Sequence, residues 1–466
     1  MTKKYLIETF GCQMNVHDSE RMAGLLDQAG YEPAVDAADA DVIVINTCSV
    51  REHAEEKLYT RLGELRVLRE QTGHAAVVAV AGCVAQQEGA SLLKRTNGHL
   101  IDVVLGTQRL KMLPSLLAQA PRSAFPDVDI ASWDDVTFPL GMTHRSDPVK
   151  AYVTIIEGCN DHCAFCVVPY TRGHERMRTK AEILDDVRDA VDTGHREVQL
   201  LGQIVNHYQA PDDPGCDFAD LLAAVNDVAG VERIRFASPH PRHTGTRLIA
   251  AVRDLPKVCK HLHLPVQSGS SRVLTSMRRR YSRESYLGLI AQIREAIPDV
   301  TLSTDMIVGF PGETVGDFAE TLSLVEAVQY HSMFSFKYSA RPNTLASRRL
   351  PDDVDEGEKT ARIVALQSLQ REIQTRLHER AVGTSVEVLI DSVSRRRDLE
   401  LSGRTGGNIV VNCPIPENAD PADTGPGTGG AEWIGRTVRV RIRRAGPHSL
   451  WGDPVAPERA RMAATC

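Results

Sequence analysis

The sequence predicts an α/β fold in three parts: an N-terminal domain with a parallel sheet, a central run of strand–helix units and a small C-terminal β-barrel. Three observations lead there. Unbroken apolar runs such as residues 42–46 and 77–81 recur between helical stretches as far as residue 345, the pattern of parallel strands buried on both faces. Past residue 383 the period changes to two, in residues 385–390 and 437–443, as in a barrel with one face inward. Between the two halves, Pro121, Pro126, Pro139, Asp127, Asp129, Asp134 and Asp135 break all periodicity. With 466 residues, two or three domains are expected, at 1–120, 146–376 and 377–450, with a linker over 121–145 and a tail over 451–466.

In the first domain, strands are expected at 5–10, 42–46, 77–81 and 101–105. A helix from Asp18 to Gly30 carries Met22, Leu25, Leu26 and Ala29 at helical spacing, with Asp18 as N-cap and Gly30 as stop. A second helix runs from about 52 to 70. In the central part, strands are expected at 151–157, 196–202, 232–238, 260–266, 300–308 and 332–338. Helices alternate with them near 180–193, 218–229, 244–254, 283–296 and 314–328. Six such units match neither a closed eight-unit barrel nor an ordinary three-layer sheet. A charged helix over 352–382, with Ile363, Leu366, Leu369 and Ile373 on one face, leads into the C-terminal module. There, residues 414–433 are rich in Pro, Gly and Asp and read as a flexible surface loop.

Hydrophobic residues make up 42% and charged residues 25%, a balance typical of soluble globular chains. The net charge of −7 excludes a global basic footprint, so any nucleic-acid site must be local. Glu8 interrupts the start where the apolar stretch of a signal peptide would continue. No apolar run approaches the roughly 20 residues that span a bilayer. A cytoplasmic protein is therefore expected, in which clustered cysteines bind metal or act in catalysis more often than they pair.

Ten cysteines stand at 12, 48, 83, 159, 163, 166, 216, 259, 413 and 466. Cys159, Cys163 and Cys166 form a C-x3-C-x2-C triplet in a loop too short to send the sulfurs apart. Closed iron–sulfur clusters and structural zinc sites usually take four protein ligands. Three ligands on a four-iron cube leave one iron open. A zinc ion borrowing His162 or another Cys is the competing reading of this spacing alone. Cys12, Cys48 and Cys83 each come two residues after a predicted strand, 36 and 35 residues apart. Parallel strands joined by crossover helices end on one edge, where such sheets bind ligands. One buried thiol would be ordinary; three at equivalent positions imply a second three-cysteine centre. Cys216, Cys259, Cys413 and Cys466 have no motif and read as structural or incidental.

The C-x3-C-x2-C spacing closely resembles the signature of the radical S-adenosylmethionine (SAM) enzymes. The resemblance then extends along nearly the whole chain. Gly11-Cys12-Gln13-Met14-Asn15, Asn46-Thr47-Cys48-Ser49-Val50-Arg51-Glu52 and Gly82-Cys83-Val84-Ala85-Gln86 are similar to the N-terminal domain of the methylthiotransferases. So are Gly158 to Gly173, His263-Leu264-Pro265-Val266-Gln267-Ser268-Gly269-Ser270 and Gly309-Phe310-Pro311-Gly312. The C-terminal barrel resembles a TRAM domain, an RNA-binding module. Gln13-Met14-Asn15 after Cys12, and residues 167–173 after Cys166, most resemble the tRNA-modifying members. One departure is Gly202-Gln203-Ile204-Val205-Asn206, where the family has Asn in place of Ile204.

The resemblance implies a central partial (β/α)6 radical SAM barrel and two 4Fe-4S clusters, with SAM as cofactor. Cys159, Cys163 and Cys166 would hold the cluster that cleaves one SAM into a radical. Cys12, Cys48 and Cys83 would hold an auxiliary cluster that carries or supplies sulfur, methylated by a second SAM. It implies methylthiolation of carbon 2 of N6-isopentenyladenosine at position 37 of tRNA. The alternatives are tRNA threonylcarbamoyladenosine, an aspartate of ribosomal protein S12, or a non-enzymatic iron–sulfur RNA-binding or cluster-carrier protein. Phe165, Gln203, Gly309, Phe310 and Pro311 are candidate SAM contacts; His261 and His263 read as packing or orienting groups. The expected partners are tRNA and an outside reductant such as flavodoxin or ferredoxin, with no membrane and no partner subunit.

The C-terminal module carries the local charge that the whole chain lacks. From 380 to 450 there are ten arginines against eight acidic residues, and four of those acids lie in the 414–433 loop. Arg439, Arg441 and Arg443 alternate with Val440 and Ile442, so a strand would place the three guanidiniums on one face, suited to phosphates.

Overall fold

Strands that are apolar on both faces need cover on both faces, and the N-terminal sheet has it. The computed structural model describes residues 2–49, 52–96, 100–132, 143–394, 400–415 and 430–455. Strands β1 (Lys4–Phe10), β2 (Glu32–Pro33), β3 (Val42–Thr47), β4 (Val77–Gly82), β5 (Val103–Leu105) and β6 (Asp127–Asp129) form one parallel sheet in the order β2-β1-β3-β4-β5-β6. Helices α1 (Gln13–Gln28) and α5 (Leu113–Gln119) pack Met22, Leu26, Leu113 and Leu117 on one face. Helices α2 (Glu52–Thr72), α3 (Cys83–Glu88) and α4 (Ser91–Arg95) bury Leu58, Leu62, Leu65, Val84 and Leu92 on the other. Each such side chain contributes about 1.5–3 kcal/mol of burial.

Two expectations are corrected here. Helix α1 starts at Gln13, not after Asp18, and its N-cap is Cys12. Asp18 lies inside the helix, buried, because its carboxylate has a partner in the next domain. The segment expected as linker contains a strand: Asp127–Asp129 pairs with β5, and Arg109 binds Asp129 at 2.7 Å. Three residues with two acids carry too little pattern to read as a strand. Trp133 to Met142, including Asp134, Asp135 and Pro139, lie outside the described residues.

The central domain is an open barrel of six parallel strands in two triplets. Strands β7 (Lys150–Thr154), β10 (Glu197–Leu201) and β13 (Arg233–Phe236) form one triplet, with β10 in the middle. Strands β14 (His261–His263), β15 (Thr301–Val308) and β16 (Ser332–Lys337) form the other. A single bridge, Ile234 to Val258, joins them. Short antiparallel pairs decorate the loops: β8 (Ile156–Glu157) with β9 (Arg176–Met177), and β11 (Gln209–Ala210) with β12 (Asp213–Asp217). The helices are α6 (Val168–Thr171), α7 (Lys180–Asp192), α8 (Phe218–Asn226), α9 (Thr246–Asp254), α10 (Ser271–Ser276), α11 (Arg283–Ala296), α12 (Val315–Val328) and α13 (Leu345–Arg349). The larger helices cover the outer strand faces in one core that includes Val153, Leu200, Ile234, Leu262, Leu302 and Met306.

Helix α14 (Glu356–Glu379) buries Leu366 and Ile373 on that core and runs past the boundary expected at 376. A closed five-strand barrel follows: β17 (Ser385–Val393), β18 (Glu400–Thr405), β19 (Val410–Pro414), β20 (Thr437–Ala445) and β21 (Leu450–Pro454). The expected tail therefore begins inside a strand, β21, whose inward positions are only Leu450 and Gly452. Arg395, Arg396, Arg397, most of the 414–433 loop and Cys466 lie outside the described residues.

The turn after β18 seats this barrel on the residues that begin the central strands. Arg235 is buried, pairs with Glu197 at 3.0 Å and donates to the carbonyls of Thr405 and Gly406. Arg233 donates to Arg404 O, and Thr301 Oγ1 to Gly407 O. The C-terminal barrel thus closes the N-terminal end of the central strands, away from the cysteines. Among the described residues no helix is long and apolar enough to cross a membrane.

Candidate active site

The loop after β8 begins with a backbone constraint. Gly158 has φ +79°, and a Cβ there would lie 2.0 Å from the His174 carbonyl oxygen. Close approach lets Cys159 N–H donate to Gly173 O at 3.2 Å, so the loop from 158 to 174 closes on itself. Cys166 N–H donates to Cys163 O, a tight turn that brings these two cysteines together. Asp161 N–H points at Cys159 Sγ, 3.4 Å away. Ala164, between the cysteines, is buried in a small apolar cluster with Met277, Phe310 and Tyr338, and Phe165 packs against that cluster. Arg279 is buried, donates to Cys163 Sγ at 3.5 Å and holds Pro265 O at 2.8 Å. Burial pushes the Cys159 thiol up to about 11 and the Cys166 thiol up to about 12.

The other triplet is built by the sheet. Phe10, Thr47 and Gly82 are in register across β1, β3 and β4. Cys12 follows β1 by two residues; Cys48 and Cys83 follow their strands directly, one residue sooner than expected, because those strands are longer. A hydrogen-bonded bridge sets the loops. Asn15 Oδ1 accepts from both Cys12 N–H and Cys12 Sγ–H at 3.4 Å, and Asn15 Nδ2 donates to Asn46 Oδ1 at 3.2 Å. Asn46 Nδ2 donates to Asn15 O at 2.8 Å and Ser19 Oγ at 2.9 Å. A Cβ on Gly11 would lie 2.5 Å from Asn15 Oδ1, and one on Gly82 would lie 2.2 Å from Asn46 Oδ1. The Gly-Cys pairs are therefore glycine because two buried amides pass against them.

The two triplets meet through Arg172. Its guanidinium is buried and binds Asp18 Oδ2 at 2.5 Å, and its positive charge acts on the Cys12 and Cys83 thiols. Hydrogen bonding with Cys48, helped by the charge of Arg172, holds the Cys12 thiol down to about 6 against burial. Burial raises the Cys83 thiol, with Arg172 opposing. Met14, next to Cys12 in helix α1, packs on Tyr152 and Leu201 of the barrel. Sequence reasoning missed the roles of Arg172, Arg279 and Asp18; their partners lie 89, 116 and 154 residues away or nearly so, a separation no local pattern carries.

The other expected contacts are placed as follows. Gln203, at the end of β10, has a buried Oε1 without a hydrogen-bond partner. Asn206 has its amide fully engaged by His240 and Thr244, and Ile204 is buried. Gly309 has φ +70° and donates its N–H to Glu313 at 2.6 Å. The Phe310 ring is fully buried against Tyr338, and Pro311 is buried. His261 and His263 both meet Ser303 Oγ, at 3.0 and 2.8 Å, and His263 also faces Asp305 at 3.3 Å. Arg439, Arg441 and Arg443 lie exposed on alternate positions of β20, and Arg443 is paired with Asp453.

None of the nine described cysteines is in a disulfide. Nor do any three His, Cys, Asp or Glu side chains among the described residues close around the position of a single metal ion, as one zinc would need.

The family models that match are the uncharacterized protein family UPF0004 over residues 4–106, the radical SAM superfamily over 153–325 and the TRAM domain over 379–455. The chain is 43% identical to the tRNA-2-methylthio-N(6)-dimethylallyladenosine synthase of Acetivibrio thermocellus, over 97% of this chain and 91% of that one. It is 43% identical to the enzyme of the same name from Geobacter metallireducens, over 97% and 98%. The chain belongs to the tRNA-2-methylthio-N(6)-dimethylallyladenosine synthase family. Among solved structures, a radical S-adenosylmethionine methyltransferase from Kitasatospora setae, with cobalamin and a 4Fe-4S cluster bound, matches with a TM-score of 0.51 and 13% identity over 74% of both chains. That likeness concerns the fold.

The thiol environments of this family member predict an order of reactivity. In metal-free protein at neutral pH, iodoacetamide should label Cys12, half-buried and lowered in pKa, before Cys83, Cys159 and Cys166. Peptide mass spectrometry over a labelling time course reads the order. Cys83 or Cys166 reacting first contradicts the assignment.

Proposed function

We propose that this chain replaces the hydrogen on carbon 2 of N6-isopentenyladenosine at position 37 of tRNA with a methylthio group. Two SAM molecules are used, one as radical source and one as methyl donor. The reading is carried by the two separate cysteine triplets that flank one barrel mouth, linked through the loop from 158 to 174. The donor sets fit two 4Fe-4S clusters with an open iron each: three thiols at each site, with buried Arg279 donating to Cys163 Sγ at one and the charge of buried Arg172 acting on Cys12 and Cys83 at the other. Bound there, the clusters would supply reductive cleavage of SAM and a transferable sulfur, the chemistry that a carbon–hydrogen bond of an aromatic ring demands.

The protein's own residues then have separable tasks. Cys159, Cys163 and Cys166 hold the radical-generating cluster, and Arg279 orients Cys163. Cys12, Cys48 and Cys83 hold the sulfur-bearing one, in loops fixed by Asn15 and Asn46. Gln203 offers an unused acceptor, and Phe165 and the backbone of residues 309–311 line the adjoining mouth, where SAM would lie. Arg439, Arg441 and Arg443 offer a strip for phosphates, one strand length or more from the cysteines. An eight-residue strand such as β15 spans about 25 Å at roughly 3.3 Å per residue. That separation suits a substrate as large as tRNA. The enzyme acts as a cytoplasmic monomer, with its electrons delivered by an outside reductant such as flavodoxin or ferredoxin.

In reconstituted protein, Cys163→Ala should abolish 5′-deoxyadenosine production. Cys48→Ala should leave that production measurable while methylthiolation of tRNA disappears. Methylthiolated tRNA from the Cys48→Ala enzyme would sink the two-cluster reading. Exchange of Arg439 or Arg441 for Gln should weaken tRNA binding across all sequences and lower the slope of log affinity against log salt by about one each. An unchanged slope removes the strip from the RNA surface.

A further inference from the structure

Arg172 is in an unusual position. It belongs to the central domain, six residues after Cys166, at the end of the short helix α6. Its side chain nevertheless lies within the N-terminal domain, buried between Asp18 and the thiols that follow β1 and β4. The backbone is fixed from the N-terminal side as well. Thr107 Oγ1 donates to Thr171 O at 2.5 Å, and Gln108 Nε2 donates to Arg172 O at 2.9 Å. Gly173 has φ +74°, a left-handed conformation that glycine adopts without strain, and it passes directly against the Gln108 amide. Asp18 has no other strong partner: its ion pair with Arg172 is the only one it forms among the described residues, and its carboxylate is buried.

Burying a guanidinium and a carboxylate costs several kcal/mol of desolvation per ion, and a hydrophobic pair would often serve packing as well. The pair makes physical sense if a negative charge sits beside it. Three thiolates and a four-iron cube carry net negative charge, and reduction adds another. A cation beside a cluster favours the reduced state; a carboxylate next to that cation offsets part of the effect.

We propose that Arg172 is a positioning residue for the auxiliary cluster, raising its reduction potential through the buried positive charge that Asp18 and the 171–173 backbone hold beside the N-terminal cysteines, and that Asp18 moderates the effect while anchoring the guanidinium. The loop that carries the radical triplet thereby contributes the charge that tunes the other cluster. The inference rests on the reading that Cys12, Cys48 and Cys83 hold a 4Fe-4S cluster.

The test uses the full-length chain with Cys159→Ala, Cys163→Ala and Cys166→Ala, reconstituted with iron and sulfide so that only the auxiliary cluster forms. Its potential is read by redox titration followed by electron paramagnetic resonance. Arg172→Met should shift the potential to more negative values, and Arg172→Lys should fall between it and the parent. Asp18→Asn should shift it the opposite way, to more positive values. A role in packing alone predicts no shift, or shifts of one sign for both residues, and either result overturns the proposal. If Arg172→Met holds no cluster, the opposed signs of Arg172→Lys and Asp18→Asn decide. Absence of any cluster in the parent variant refutes the auxiliary-cluster reading itself, an outcome distinct from a cluster whose potential ignores Arg172.

Discussion

A buried ion pair between two domains, Asp18 with Arg172 at 2.5 Å, sets the relation of the two cysteine triplets. One partner is in the helix that begins on Cys12, and the other is in the loop that carries Cys166. Around it, Arg21 binds Glu157 at 2.8 Å, and Glu20 accepts from Ser146 at 3.1 Å. Helix α1 therefore has two buried faces. Met22 and Leu26 face the sheet of their own domain, and the charged face meets the barrel. Charged groups in such a place are weak evidence for stability. They fix orientation, because none can slide without leaving a buried charge unpaired.

Glycines next to cysteines follow from the same crowding. At Gly11 and Gly82 the neighbours are the amides of Asn15 and Asn46; at Gly158 the neighbour is the returning backbone of residues 173–174. Both triplets thus lie in loops whose shape is dictated by hydrogen bonds, with no room for a side chain. The C-terminal barrel is attached differently, through carbonyls of one turn gripped by Arg233, Arg235 and Thr301 at the far end of the central strands. The cysteine loops and the seat of the C-terminal barrel are at opposite ends of the central strands.

Much of this was legible in the sequence, for identifiable reasons. Apolar runs marked the buried strands, and their common direction gathered Cys12, Cys48 and Cys83 at one edge. Period-two alternation marked β20 and put Arg439, Arg441 and Arg443 outward. What failed was decided by partners far away in the chain. Asp18 resembled a helix cap because acidic residues before apolar stretches often are; its buried place depends on Arg172, 154 residues on. Strand β6 and strand β21 are too short and too polar to announce themselves, and pairing with a neighbouring strand makes them.

The division of labour proposed for the two cysteine sites ends in one product, and the tRNA itself records it. Nucleoside mass spectrometry of tRNA from cells with and without this chain is the most direct measurement. The account predicts that 2-methylthio-N6-isopentenyladenosine disappears when the chain is removed, that N6-isopentenyladenosine accumulates in its place, and that the wild-type chain restores the product. An unchanged level of the methylthiolated nucleoside, or loss of a different modification, would contradict it.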